Sequence, residues 1–376
     1  AIPKETAEGE ARVAASPETV KKLLGLGLDV AVEAGAGDGS ALADSVFEEA
    51  GAAIAPSGAD ALQDADIVLK VGPPDDDQLK NIKRGAVLIA LLNPLGRKQD
   101  AEAYASAGID AFAMELVPRI TRAQAMDALS SQANLAGYKA VLDAAHEYRR
   151  VMPMMMTAAG SIAPARVFVM GVGVAGLQAI ATAKRLGAIV SATDVRPATK
   201  EQVESLGGKF VMVESEEAAE AETEGGYARE MSEDYKRKQA ELIAETIARQ
   251  DMVITTAQIP GRPAPTLVTE DMVKTMRAGS VINDLAVEAG GNCPLSEPDK
   301  VVVKHGVTII GHTNVPARVA EDASLLYARN LLAFLTPLVD GETGELKIDW
   351  EDEIVKGAAL TRDGSVTHPL LKEGAG

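Results

Sequence analysis

The stretch "RVFVMGVGVAGLQAIATAKRLGAIVSATD", residues 166–194, constrains the fold more than any other part of the chain. A β-prone apolar run leads into Gly171, Gly173 and Gly176, a GxGxxG spacing, and a helical pattern follows at once. Each glycine has its own task. The first permits a tight turn, the second lets backbone approach a pyrophosphate, and the third lets the helix lie close to the strand. The helix then aims its N-terminal N–H groups and dipole at that phosphate. The next β-run ends in Asp194, 18 residues after Gly176. A carboxylate there accepts hydrogen bonds from both ribose hydroxyls of NAD and repels the 2′-phosphate of NADP. The candidate cofactor contacts at this turn are Gly171, Gly173, Val174, Gly176, Asp194, Val195 and Arg196. Arg196 could accept a 2′-phosphate, but beside Asp194 an arginine lying over the adenine is preferred.

The surrounding pattern extends this unit to a whole chain. From residue 1 to about 116, the β-rich runs "DVAVEAG", "DIVLKVG", "AVLIALL" and "DAFAMEL" alternate with helical segments; a second series runs from "RVFVMG" through "GAIVSATD", "KFVMV", "DMVITTA" and "SVINDLAV" to "VTIIGH". Such alternation specifies parallel sheets covered by helices. At 376 residues the chain suits two domains. The expected architecture is α/β, with two Rossmann-type doubly wound parallel-sheet lobes joined by long helices and a cleft between them. The first lobe takes residues 1–128 and 317–376, and the second takes 129–316. One joining helix is read over 130–150 with Ser130 or Ser131 as its N-cap, the other over 315–339. Ligands favour clefts of this kind.

One segment breaks the rhythm. Residues 214–238 hold nine acidic and four basic side chains around a Gly-Gly-Tyr. A solvated surface excursion is the plain reading, yet an aromatic on a double glycine also fits a mobile loop whose Gly226 and Tyr227 close on a ligand.

Charge and cysteine content exclude several classes. A net charge of -18 disfavours nucleic acid and anionic lipid as partners of the surface. The single cysteine, Cys293, rules out an internal disulfide and suits a reducing compartment. No secretory signal opens the sequence, and the uncharged run at 167–183 is broken by glycines, so no transmembrane segment is expected.

A dehydrogenase acting on a carbonyl or imine needs a proton donor beside the hydride acceptor. Of the four histidines, His146, His305 and His368 read as surface or packing residues, and His312 is open between structure and site. The loops "TTAQIPG", with Gln258, and "NDLAVEAGGN" follow strands and are expected to line the nicotinamide side. The polar groups concentrate instead in "MELVPRITRAQAMDALSSQANLAGY", residues 114–138, which holds no histidine or cysteine.

The runs "IPKE", "RVAASPE", "VLKV", the glycine fingerprint, "ATDVR", "ESLGGKF", "PMMMTAAG" and "DLAVEAGGNCPLSEP" together resemble a superfamily. It is shared by alanine dehydrogenase and the NAD(H)-binding component of proton-translocating transhydrogenase, and the resemblance covers essentially the whole chain. Alanine dehydrogenases hold a substrate carboxylate with an arginine and a lysine, matched by Arg12 and Lys70. Their catalytic histidine has no counterpart here, where Leu92 and Asn93 stand in "LLNPLG". Residues Arg119, Gln124, Asp127 and Ser130 resemble the loop by which transhydrogenase components hold a nicotinamide and its ribose, and Tyr138 joins the candidate cofactor contacts.

The resemblance implies an NAD(H)-binding component that passes hydride to NADP(H) on a partner subunit. It further implies a homodimer, a membrane-spanning proton-channel component, and a cytoplasmic position peripheral to the membrane. No metal is expected. An alanine dehydrogenase-type enzyme is the alternative.

Overall fold

The computed structural model describes residues 1–213, 232–259 and 261–372. The chain divides into two compact units, residues Ala1–Gln132 with the stretch from Pro316 onward, and residues Ala133–Val315.

In the second unit seven strands form one sheet, in the order Lys209–Phe210, Ile189–Thr193, Arg166–Met170, Met252–Thr255, Val281–Asp284, Val307–Ile310, Val301–Lys304. The sheet starts at Arg166–Met170, builds outward to one side, then crosses to Met252–Thr255 and builds to the other. That reversal is the switch point where doubly wound sheets bind ligands beyond the strand carboxyl ends. The strands read as unbroken apolar runs because both faces are covered. Val167, Val169 and Ile254 enter one core, while Phe168, Met170 and Val253 enter the opposite one. Full burial of each such side chain contributes about 1.5–3 kcal/mol.

The pairings are parallel except at one edge, where Val301–Lys304 runs antiparallel to Val307–Ile310. This edge strand is absent from the strand series expected from the sequence. The cause is "KHGV": His305 and Gly306 take φ of 52° and 80°, the two positive values that a tight hairpin turn requires.

The first unit has the same winding. Ala31–Glu33 pairs with Ala53–Ala55, and Ile67–Leu69, Val87–Ala90 and Asp110–Ala113 form a second parallel group. The first residues of the chain join the two groups, since the Ile2 amide donates to the Ala31 carbonyl at 2.8 Å and the Leu69 amide to the Ala1 carbonyl at 2.9 Å. Val87, Ile89 and Phe112 pack to one side of this sheet, with Tyr327, Leu331 and Phe334 of the helix Ala320–Leu335 in the same core.

Two expectations are corrected. The helix Ala128–Glu147 is capped by neither Ser130 nor Ser131. The Asp127 carboxylate accepts from the Ser130 amide at 2.9 Å and from its hydroxyl at 2.6 Å, and an anionic acceptor is the stronger cap. The end of the expected mobile loop at 214–238 is helical, because Glu233–Ile247 forms a helix whose Ser232 cap accepts from the Tyr235 amide. Gly226 and Tyr227 lie outside the described residues.

Candidate dinucleotide site

At the switch point Gly171 turns with φ 100°, and its amide donates to the Thr193 carbonyl at 2.9 Å. Thr256 closes the turn by donating its hydroxyl to the Gly171 carbonyl at 3.1 Å. A Cβ on Gly176 would stand 1.9 Å from that same carbonyl oxygen, so only glycine lets the helix approach. Gly173 differs, for a Cβ there would meet no heavy atom within 4 Å. The space over Gly173 is open although the turn around it is tight.

Gly173 is also the N-cap of the helix Val174–Arg185 and supplies no side-chain acceptor for its first amides. Unsatisfied N–H groups, the helix dipole and an open cradle together suit a pyrophosphate. The arrangement fits a dinucleotide.

Asp194 closes the second side. Its side chain is nearly buried, and Oδ2 accepts from the Val172 amide at 2.7 Å. Arg196 folds back on it, donating Nε to Oδ1 at 2.9 Å, Nη2 to Oδ2 at 3.0 Å and its own amide to Oδ1 at 2.9 Å. Burial alone would raise the Asp194 carboxyl, but the guanidinium and the Val172 and Arg196 amides outweigh it and hold it below the usual range. The carboxylate is therefore ionised and oriented, and the guanidinium is its one side-chain partner among these contacts. Val174 and Val195 are exposed beside the turn.

The neighbouring strand-end loops are tied together by residues that sequence reasoning passed over. Asp284 is fully buried and accepts from the Thr255 hydroxyl, the amides of Ala286, Asn292 and Cys293, and the Ser296 hydroxyl. Asn292 accepts from the Ala257 amide at 3.0 Å and donates to the Ala257 and Pro265 carbonyls, each at 2.8 Å. Gln258 donates to the Leu285 carbonyl at 2.9 Å and is itself exposed. A carboxylate ending a strand six residues before a Gly-Gly pair is the signal available in the sequence. Cys293 is buried and burial raises its thiol, which leaves it inert.

The second group of candidates lies in the first unit. A short 3-10 helix, Thr121–Met126, carries Gln124. Arg119 and Gln124 are exposed and form no side-chain hydrogen bond or ion pair among the described residues. Asp127 and Ser130 are bonded to each other, as described above. Arg122 is an anchor, donating to both oxygens of Asp352 at 2.8 Å. Tyr138, on the following helix, is partly exposed.

No acid–base residue occupies the position after Ala90. Leu92 is buried, and Asn93 is a left-handed turn residue (φ 47°) whose side chain accepts from the Gly96 amide. Glu115 accepts from the Leu92 and Asn93 amides at 3.1 and 2.6 Å. Arg12 is bound by Glu10, and Lys70 is fully buried against Glu5 at 3.0 Å. His146 is exposed, His305 pairs with Glu270 at 2.9 Å, and His312 is half-buried. His368 is buried, faces the Gly357 carbonyl, and burial lowers its pKa. Among the described residues no acidic, histidine or cysteine cluster could hold a metal ion, and no helix is long and apolar enough to cross a membrane.

A family model described as "Alanine dehydrogenase/PNT, N-terminal domain" matches residues 1–136, and one described as "Alanine dehydrogenase/PNT, C-terminal domain" matches residues 140–369. An NAD(P) transhydrogenase subunit alpha protein of Rhodospirillum rubrum is 61% identical over 376 residues, covering 99% of this chain and 98% of that protein. A crystal structure of transhydrogenase from Sinorhizobium meliloti is 56% identical with a TM-score of 0.89, over 97% of this chain and 99% of that one. A solved L-alanine dehydrogenase is 26% identical with a TM-score of 0.83, over 99% of this chain and 97% of that one.

Proposed function

Since the chain belongs to the alanine dehydrogenase/PNT family and is similar along its length to transhydrogenase alpha subunits, we propose that it is the NAD(H)-binding component of a proton-translocating transhydrogenase. Its hydride acceptor is NADP(H) held on a partner subunit. The observation that carries this reading is a dinucleotide cradle at Gly171–Gly176 in a chain where Leu92 and Asn93 replace the proton donor of an amino-acid dehydrogenase.

A bound NADH supplies the hydride from its nicotinamide ring, and no proton moves at either carbon. The protein's work is then to position and to exclude water. Gly173 and the amides opening the helix Val174–Arg185 receive the pyrophosphate, and Asp194 accepts from the adenosine ribose. Gln258 and the loops tied by Asp284 and Asn292 border the nicotinamide side. Gln124 and Ser130 bond the carboxamide, Asp127 orients Ser130, and Arg119 reaches the second nucleotide.

We further read the chain as a homodimer, peripheral to the membrane through a proton-conducting partner. The antiparallel pair Met155–Thr157 and Gly160–Ile162 supports self-association, because its residues are all exposed and Met156 reaches 78% exposure. Met155, Met156 and Ile162, exposed together on this pair, suit a contact.

The test is an assay of the purified chain with NADH, pyruvate and ammonium, beside hydride exchange from NADH to an NADP+ analogue with and without the NADP(H)-binding partner. Exchange that depends on the partner is expected. Turnover of pyruvate by the chain alone would refute the reading.

A further inference from the structure

We propose that Asn330 is a positioning residue for the loop carrying Gln124, Asp127 and Ser130, acting through a buried hydrogen-bond chain that reaches Arg12 and Glu10. The proposal rests on the role given to that loop above.

Asn330 projects from the helix Ala320–Leu335 and is only 8% exposed. Its Nδ2 donates to the Ala125 carbonyl at 2.8 Å, and its Oδ1 accepts from the Ser131 hydroxyl at 2.7 Å. One amide thus spans from the residue after Gln124 to the residue after Ser130. Gln132 Nε2 donates to the Ser131 oxygen at 3.3 Å and to the Ala323 carbonyl at 3.1 Å. Its Oε1 accepts from Arg12 Nη1 at 2.7 Å, and Glu10 grips Arg12 through Nε at 2.9 Å and Nη2 at 2.7 Å.

The loop needs such support. A 3-10 helix of six residues has poor hydrogen-bond geometry, and Thr121–Met126 has no side-chain cap. Gln124 points outward without a partner among the described residues, so nothing on its exposed side fixes it. The restraint comes from beneath, where moving Ala125 or Ser131 would strand a buried amide and cost about 1–3 kcal/mol. Arg12, which would hold a substrate carboxylate in an amino-acid dehydrogenase, anchors this chain of bonds instead.

Asn330→Leu keeps the branched four-atom side-chain skeleton and removes both bonds. In the full chain we expect faster backbone amide exchange confined to residues 121–131. NADH affinity by fluorescence titration should stay within about twofold, and hydride transfer at saturating NADH with the NADP(H)-binding partner should fall by about tenfold or more. An unchanged saturating rate in the folded Leu variant overturns the proposal, as does a loss confined to thermal stability. Should Asn330→Leu not fold, Ser131→Ala deletes one hydroxyl and is expected to show the same pattern more weakly; an unchanged rate there overturns it equally. Absence of transfer by the wild-type pair would refute the proposed function instead, and the exchange measurement would still decide whether Asn330 holds the loop.

Discussion

The guanidinium of Arg196 lies along the carboxylate of Asp194, with Nε 2.9 Å from Oδ1 and Nη2 3.0 Å from Oδ2. Two backbone amides take the remaining acceptor directions. A ribose diol binding Asp194 must therefore compete with Arg196, which is half exposed and also donates to the Val172 carbonyl at 3.3 Å.

Arg196→Met keeps the aliphatic bulk and removes the competitor. A half-exposed ion pair is worth about 0–1 kcal/mol, so NADH should bind about two- to fivefold more tightly to the variant at low salt. The wild type should approach it as salt screens the pair. NADPH should bind worse, because Asp194 then faces the 2′-phosphate unneutralised. Fluorescence titrations at two ionic strengths measure all three. Weaker NADH binding by the variant would mean that Arg196 contacts the dinucleotide.

Lys70 is fully buried and Glu5 nearly so. Glu5→Gln leaves the ammonium without its counter-charge, and breaking such a pair costs about 3–5 kcal/mol. The double variant Glu5→Gln, Lys70→Met should recover most of that loss. Urea denaturation compares the three proteins; a single variant within about 1 kcal/mol of wild type would show that the pair is not structural.

Burial raises Glu115 above its ordinary value of 4.5, against the amides of Glu115, Asn93 and Leu92 that favour the charged form. Glu5 is raised by burial too, with Lys70 opposing. Between the ordinary and raised values the native state holds more protons than the unfolded chain, so stability rises as pH falls through that window. Relative to Glu115→Gln, the wild type should therefore gain stability as pH falls from neutral toward about pH 5, on top of the opposing loss from the Ala1 amino group and His368, whose pKa values burial lowers. Identical slopes in variant and wild type would exclude Glu115 as a source.

What was legible in the sequence depended on distance along the chain. The glycine turn, its helix and the strand to Asp194 lie within 29 residues, and local pattern specified them. The cap of the helix Ala128–Glu147 was misplaced because Asp127, Ser130 and Ser131 are all good caps, and only geometry selects the carboxylate. The edge strand Val301–Lys304 was missed because His305 in a left-handed turn is uncommon. Asn330, Glu5 and Asn292 could not be read at all. Each is a polar residue whose side-chain partners are 27 or more positions away, and one sequence does not reveal such pairings.

Two glycines of the same motif separate ligand binding from folding. Gly176→Ala places a methyl group 1.9 Å from the Gly171 carbonyl, so the helix must shift, at about 1–3 kcal/mol, and NADH binding should fall with it. Gly173→Ala adds a methyl that meets no heavy atom of the protein within 4 Å, at a φ of -83° that alanine accepts. Its stability should stay within about 0.5 kcal/mol of wild type. The methyl nonetheless stands where a pyrophosphate would approach the backbone, so NADH affinity should drop by about tenfold or more, a loss of about 1.4 kcal/mol. Thermal melts and NADH titrations of both variants provide the comparison. If Gly173→Ala binds NADH as tightly as wild type, the dinucleotide does not lie on this turn.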